Sequence, residues 1–282
     1  MATWTLGKRI DEDKGGFGIV YEVTHSDGRK GALKELKYPN AERLKRFERE
    51  IKILQKFNHS HIITVHEGNI NGQQSPTALG PYYIMDYMEG GSLRKYMTNI
   101  LHEQKKLFSR KWALGTIILP IIEALQYAHT HTDTTYHRDL KPANLLFTTT
   151  ARNHLKVADW GLGKDVNKES IALTVGGIGT PGYCAPEQWF WFPGSTLTVD
   201  GRADIYSLGI IFYEMMTGKI PQVFNNFGQR FNIPAPSSHN HSSISTQLDN
   251  AILKMIAYEA RDRHQTIQQV KDALTPIYHS MA

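Results

Sequence analysis

Hydrophobic positions along the chain change period once, and that change divides the sequence in two. Up to about Tyr38 the pattern alternates. Ile19, Tyr21 and Val23 interleave with Val20 and Glu22, while Ala32, Lys34 and Leu36 share one face, which predicts short strands. A helix follows, capped by Asn40, because Leu44, Phe47, Ile51 and Leu54 recur at steps of three, four and three residues. Glu50 borders that apolar face, and a carboxylate there needs a cationic partner or water. Tyr82–Tyr87 reads as a further strand, broken by Glu89-Gly90-Gly91. Beyond this break the long apolar patterns are helical, at Trp112–Ala128 and Ala203–Met216. The second is apolar on nearly every side, as expected of a helix at the centre of a lobe. Asn69–Gly80 and Pro234–Ser245 read as surface loops, and no repeat is visible. The expectation is an α+β chain in two lobes: a small antiparallel sheet with one helix over about residues 1–85, a hinge at about 86–91, and a mainly helical lobe over about 92–282.

Composition narrows the choice. With 282 residues, 40% hydrophobic and 21% charged, the chain suits one large globular domain, and the motifs below leave no room for a second. The net charge is +5, and the cations between Arg43 and Lys56 are interleaved with Glu42, Glu48 and Glu50 rather than forming the one-signed stripe of a nucleic-acid binder. A single cysteine, Cys184, rules out an intramolecular disulfide and fits a reducing compartment. The N-terminus lacks a signal-peptide core, and the greasiest stretches, Ile117–Leu125 and Ile205–Met216, are too short to span a bilayer. The reading is a cytoplasmic protein without nucleic-acid or membrane partners.

The chemistry concentrates in His137-Arg138-Asp139-Leu140-Lys141-Pro142-Ala143-Asn144. Phosphoryl transfer requires an oriented nucleophile and neutralised phosphate charge more than covalent help. A carboxylate can accept the proton of an incoming hydroxyl, a lysine can balance the phosphate, and an amide oxygen can hold a metal. Asp139, Lys141 and Asn144 supply these three groups within six residues. The stretch resembles the catalytic loop of protein kinases of the Hanks type, with lysine in the serine/threonine position. Asp159-Trp160-Gly161 is similar to the family's Asp-Phe-Gly element, with Trp for Phe. The resemblance runs from about Leu6 to Leu274, and Pro186-Glu187-Gln188 is reminiscent of bacterial members.

That resemblance implies a bilobal protein-kinase fold that binds ATP with Mg2+, or Mn2+ in its place, and phosphorylates Ser or Thr on protein substrates. Transient self-association for autophosphorylation goes with it. Asp139 is then the base, Lys141 a γ-phosphate contact, and Asn144 and Asp159 the metal ligands. Lys34 pairs with Glu50 and holds the α- and β-phosphates. Gly15 and Gly18 bring a loop to the phosphates, although Asp13 stands where the family has its first glycine. Val20 and Ala32 cover the adenine, Met85 is the gatekeeper, and the carbonyl of Asp86 and amide of Met88 meet the adenine edge. In Gly179–Glu187, Thr180 hydrogen-bonds the catalytic Asp and Lys; Thr174, or second Ser170, is the activation phosphosite. Glu187 pairs with Arg263 as a structural bridge, and Asp204 holds the catalytic-loop backbone.

Two other classes compete: a pseudokinase scaffold, supported by Asp13 and Trp160, and a small-molecule phosphotransferase, opposed by Lys141 and the 179–187 loop. Three further signals carry bland readings. His239 and His241 lack a third ligand for a metal, Cys184 reads as a buried filler, and Trp189-Phe190-Trp191-Phe192 as packing against the large lobe.

Overall fold

Strands β1 (Trp4–Arg9), β2 (Gly18–His25) and β3 (Lys30–Leu36) form where apolar and polar residues alternate, and the pleat sorts them onto two faces. The computed structural model describes residues 3–10, 18–70, 80–161, 180–191, 196–225, 227–239 and 245–281. With β4 (Val65–Asn69) and β5 (Tyr82–Asp86) the strands make one antiparallel sheet in the order β1-β2-β3-β5-β4. One face buries Val23, Leu33, Tyr82 and Ile84 beneath Trp4 and Tyr21. Register pairs Val20 with Lys34, Lys34 with Tyr83 and Ala32 with Met85, so these five residues share the opposite face.

That face meets α1 (Ala41–Lys56). Asn40 caps the helix as expected, its side chain accepting from the Arg43 amide at 2.8 Å, and Phe47, Ile51 and Leu54 are buried along one stripe. The chain crosses between lobes at Gly90-Gly91. A Cβ on Gly90 would lie 2.1 Å from the Thr149 carbonyl oxygen, and Gly91 takes φ of +72°, so neither position admits an ordinary side chain.

The second lobe begins with a small antiparallel sheet, β6 (Gly91–Ser92), β7 (Leu145–Phe147) and β8 (Leu155–Val157), in that order. Around it pack α2 (Leu93–Met97), α3 (Arg110–Trp112) and α4 (Leu119–Thr130), followed by α5 (Pro186–Trp189), α6 (Gly201–Thr217), α7 (Thr246–Met255) and α8 (Ile267–His279). The Trp112–Ala128 pattern is helical but not uniform, since Ala113–Ile118 is a π-helical segment joining α3 to α4. Helix α6 is buried from Ala203 through Thr217, the central helix its all-round apolar pattern predicts.

Candidate active site

On the small-lobe side three elements converge on one ammonium group. Lys34 projects from β3, and its Nζ donates to both Glu50 oxygens at 2.9 and 3.1 Å. The Tyr83 hydroxyl on β5 donates to Glu50 Oε1 at 2.8 Å, so a carboxylate only 3% exposed is satisfied by a cation and a phenol together. Lys34 also reaches Asp159 Oδ1 at 3.4 Å, just past the end of β8. Burial alone would pull the ammonium down; the Asp159 and Glu50 carboxylates reverse this and hold it well above the ordinary lysine range. Burial likewise pushes the Asp159 carboxyl up, yet Lys34 and Arg46 outweigh it and hold the group well below the usual carboxylate range.

On the large-lobe side the 137–144 loop hangs between two buried anchors. Asp204, in the first turn of α6, accepts the backbone N–H groups of His137 at 2.8 Å and Arg138 at 2.7 Å. His129 Nε2 lies 2.8 Å from the same carboxylate. Burial raises the Asp204 carboxyl, but His129 and the Arg138 amide turn the balance and leave it below its ordinary value. From the other side Gln188 Nε2 donates to the Arg138 carbonyl at 2.7 Å. Held at both ends, Arg138 keeps φ of +63°, and Asp159 keeps +62°, in a region that non-glycine residues rarely occupy.

This scaffold presents Asp139 at one corner of a closed triangle. Lys141 Nζ donates to Asp139 Oδ2 at 2.9 Å and to Thr180 Oγ1 at 2.8 Å, and the Thr180 hydroxyl donates to Asp139 Oδ1 at 2.8 Å. Asn144 Nδ2 donates to the Asp139 carbonyl at 2.9 Å, which leaves its amide oxygen as the group available to a cation. One carboxylate and one amide oxygen suit Mg2+, which keeps several waters and takes its remaining ligands from substrate phosphates.

The structure brings Lys34, Glu50, Asp139, Lys141, Asn144, Asp159 and Thr180 to one cleft. Ala32 and Met85 are buried and Val20 half-buried on the sheet face that carries Lys34, while Asp86 and Met88 lie half-buried at and just after the end of β5. A Cβ on Gly18 would stand 2.7 Å from the Glu35 carbonyl, so this glycine is required by its own strand pairing. Asp13, Gly15, Ser170 and Thr174 lie outside the described residues. Trp160 is wholly buried. Its indole N–H donates to the Val157 carbonyl at 3.3 Å, and its ring stands edge-on to Phe57 and tilted against His137, so it fills the core under Asp159 as a Phe would.

Glu187 and Arg263 form a buried bidentate pair at 2.7 and 2.8 Å, away from the cleft. Cys184 is 4% exposed with its thiol pushed up to about 12 by burial, which makes it packing rather than a reactive group. His239 bonds the Tyr213 hydroxyl at 2.9 Å, Phe190 packs on Phe224, and both His241 and Phe192 lie outside the described residues. Sequence reasoning missed His129, Gln188 and Tyr83. No local pattern marks them, since each acts on a partner at least 33 residues away.

A small sheet lobe above a helical lobe, with cations and carboxylates meeting in the cleft between, is the architecture of a phosphotransferase. The chain belongs to the protein kinase family, whose protein kinase domain model matches residues 13–274. It is 30% identical over 244 residues to serine/threonine-protein kinase PknB of Mycolicibacterium smegmatis, an alignment covering 84% of this chain and 36% of that protein. Serine/threonine-protein kinase Pkn1 of Myxococcus xanthus is 31% identical over 277 residues, covering 93% of this chain and 36% of Pkn1. The chain thus spans about a third of the length of these curated relatives. The fold is that of the Mycobacterium tuberculosis PknI kinase domain crystal structure, with a TM-score of 0.69 at 23% identity over 97% of this chain and 95% of that one.

Proposed function

We propose that this chain is the catalytic domain of a serine/threonine protein kinase of bacterial type, transferring the γ-phosphoryl group of ATP to Ser or Thr hydroxyls of proteins. The observation that carries this reading is the Asp139–Lys141–Thr180 triangle, set across the cleft from the Lys34–Glu50–Asp159 cluster. Asp139 accepts the proton of the incoming hydroxyl, Lys141 balances phosphate charge, and Thr180 fixes the orientation of both. Lys34, held by Glu50, positions the nucleotide phosphates, and Asn144 with Asp159 holds Mg2+, or Mn2+ in its place. The metal, when bound, neutralises phosphate charge. Val20, Ala32 and Met85 enclose the adenine, Asp86 and Met88 meet its edge through their backbone, and Gly15 and Gly18 cover the phosphates. We read residues 1–282 as one kinase domain acting in the cytoplasm, where ATP is supplied; no helix among the described residues is long and apolar enough to cross a membrane. The pseudokinase reading rested on Trp160, here a core filler, and on Asp13, which lies outside the described residues.

Asp159→Ala should weaken Mg-dependent ATP binding by about 10²-fold or more, the order expected when several kcal/mol of charge stabilisation is lost. Lys34→Met should lower turnover more than affinity, because its contribution grows in the transition state. Calorimetry with and without Mg2+ checks the first; unchanged Mg-ATP affinity would remove Asp159 from the metal site.

Regulation by phosphorylation of Thr174, with Ser170 second, follows from the family position of Arg138 beside Asp139. A phosphate adds about −1.5 to −2 charge and one to three charge-assisted hydrogen bonds, enough to order a loop. Thr174→Ala should lower activity and remove a phosphate seen by mass spectrometry. Full activity in protein carrying no phosphate between Asp159 and Glu187 would count against the switch.

A further inference from the structure

Outside the cleft, the outer side of α1 carries a second concentration of charge. Lys45, Arg49, Lys52 and Lys56 stand at steps of four, three and four residues. At about 100° per residue they fall within an arc of roughly 60°, and at 1.5 Å per residue they form a row about 16 Å long. The row borders a cavity of about 340 Å³ between α1 and the 131–135 linker that leads into the catalytic loop. Ile53 and Phe57 are its apolar lining, 6% and 7% exposed. Among the described residues two carboxylates line it, Glu48 and Asp133, against the four cations. Lys52 meets Glu48 at 2.6 Å and Lys56 meets Asp133, yet the two lysine side chains remain 63% and 56% exposed. Pairs this open are worth about 0–1 kcal/mol, so an incoming carboxylate can displace them.

We propose that this cavity is a docking site for an extended acidic segment of a partner protein. The spacing selects the occupant. Neighbouring cations along the row are separated by about 4.5–6 Å of helix axis, close to the roughly 6.6–6.8 Å between alternate side chains of an extended strand. Acidic residues at every second position share one face of such a strand and therefore follow the row. A compact oligoanion would engage only part of such a row.

The site reports to the cleft, a consequence that rests on the kinase reading. Arg49 immediately precedes Glu50 on the helix, and Phe57 packs edge-on to Trp160 at 5.3 Å, next to Asp159. A segment bridging α1 and the linker favours the helix position in which Lys34 and Glu50 are paired.

The test uses the whole chain with Mg-ADP saturating the nucleotide site. The probe is a labelled nine-residue peptide of alternating Glu and Ala, read by fluorescence anisotropy. Wild type and a distant charge reversal, Lys254→Glu, should bind it. Lys45→Glu/Lys52→Glu should lose about tenfold or more, and so should the Gln-for-Glu peptide. Equal binding by the double variant, equal binding of the Gln peptide, or no binding at all would overturn the docking site. So would displacement by inorganic tripolyphosphate at equal or lower concentration, which would assign the cavity to small oligoanions. The coupling is read separately: the peptide should raise kcat/KM toward a generic protein substrate several-fold in wild type and not in the double variant. Tight binding with unchanged kcat/KM overturns the coupling alone, whereas a chain without kinase activity under any condition overturns the kinase reading and leaves the binding result standing.

Discussion

Replacing Asp139 by Asn should lower turnover by about 10²–10⁴-fold, the range for a positioned base, while leaving the fold and nucleotide binding intact. The amide has nearly the same shape but cannot take the proton of an attacking hydroxyl. It also breaks the triangle, because Asp139 now accepts from Lys141 on one oxygen and from Thr180 on the other, and an amide offers only one oxygen. The loop itself should hold. Its supports are the Asp204 carboxylate, the Gln188 amide and the Asn144 bond to the Asp139 backbone carbonyl, none of which uses the mutated side chain. Initial rates and nucleotide affinity check both halves. A variant keeping more than about a third of the wild-type rate would remove Asp139 from the role of base.

Arg263→Ala should destabilise the chain by about 3–5 kcal/mol, the range for stripping one partner from a buried ion pair. All five guanidinium N–H groups are used: two on the Glu187 carboxylate and the others on the carbonyls of Ala257, Arg202 and Tyr258. The guanidinium also lies over the Tyr206 ring, 4.8 Å from its centroid. Removal leaves Glu187 as a buried, uncompensated charge and three carbonyls short of a donor. Against a total stability of about 5–15 kcal/mol this is a large fraction. Arg263→Lys should recover only part of it, since one ammonium cannot reproduce a planar fork. Urea unfolding measures both; a loss below about 1 kcal/mol in the alanine variant would mean that Glu187 finds another partner or water.

How much was legible depended on where each residue's partners lie. Asp139, Lys141 and Asn144 fall within six residues, so a short motif carried their geometry. Lys34 and Glu50 are further apart; one sits on an alternating strand and the other beside a buried helical stripe, but only the family resemblance paired them. Tyr83 was visible only as a strand residue, because its hydroxyl acts on Glu50 across the sheet face. His129 and Gln188 act through bonds spanning 75 and 50 residues, and nothing near them in the chain announces this. Strand β4, Val-His-Glu-Gly-Asn, is mostly exposed and is held by pairing with β5 rather than by burial, so hydropathy passes over it. The π-helical segment within the Trp112–Ala128 pattern was equally hidden, because an all-round buried stretch looks alike at either pitch.

The passage between lobes is usually pictured as a swivel, but here part of it is a strap. Ile63 N–H donates to the Val157 carbonyl at 3.0 Å and Val157 N–H to the His61 carbonyl at 2.8 Å, which lays the lead-in to β4 against β8 of the large lobe. The Asp86 carboxylate adds a rivet: it accepts from Lys156 of β8 at 2.6 Å and from the Thr64 amide at 3.1 Å, and bonds His66 of β4 at 3.0 Å. A body fastened along one edge in this way flexes like a leaf spring and does not swing freely. Wide opening between the lobes has to tear these backbone hydrogen bonds, whereas small rocking leaves them whole.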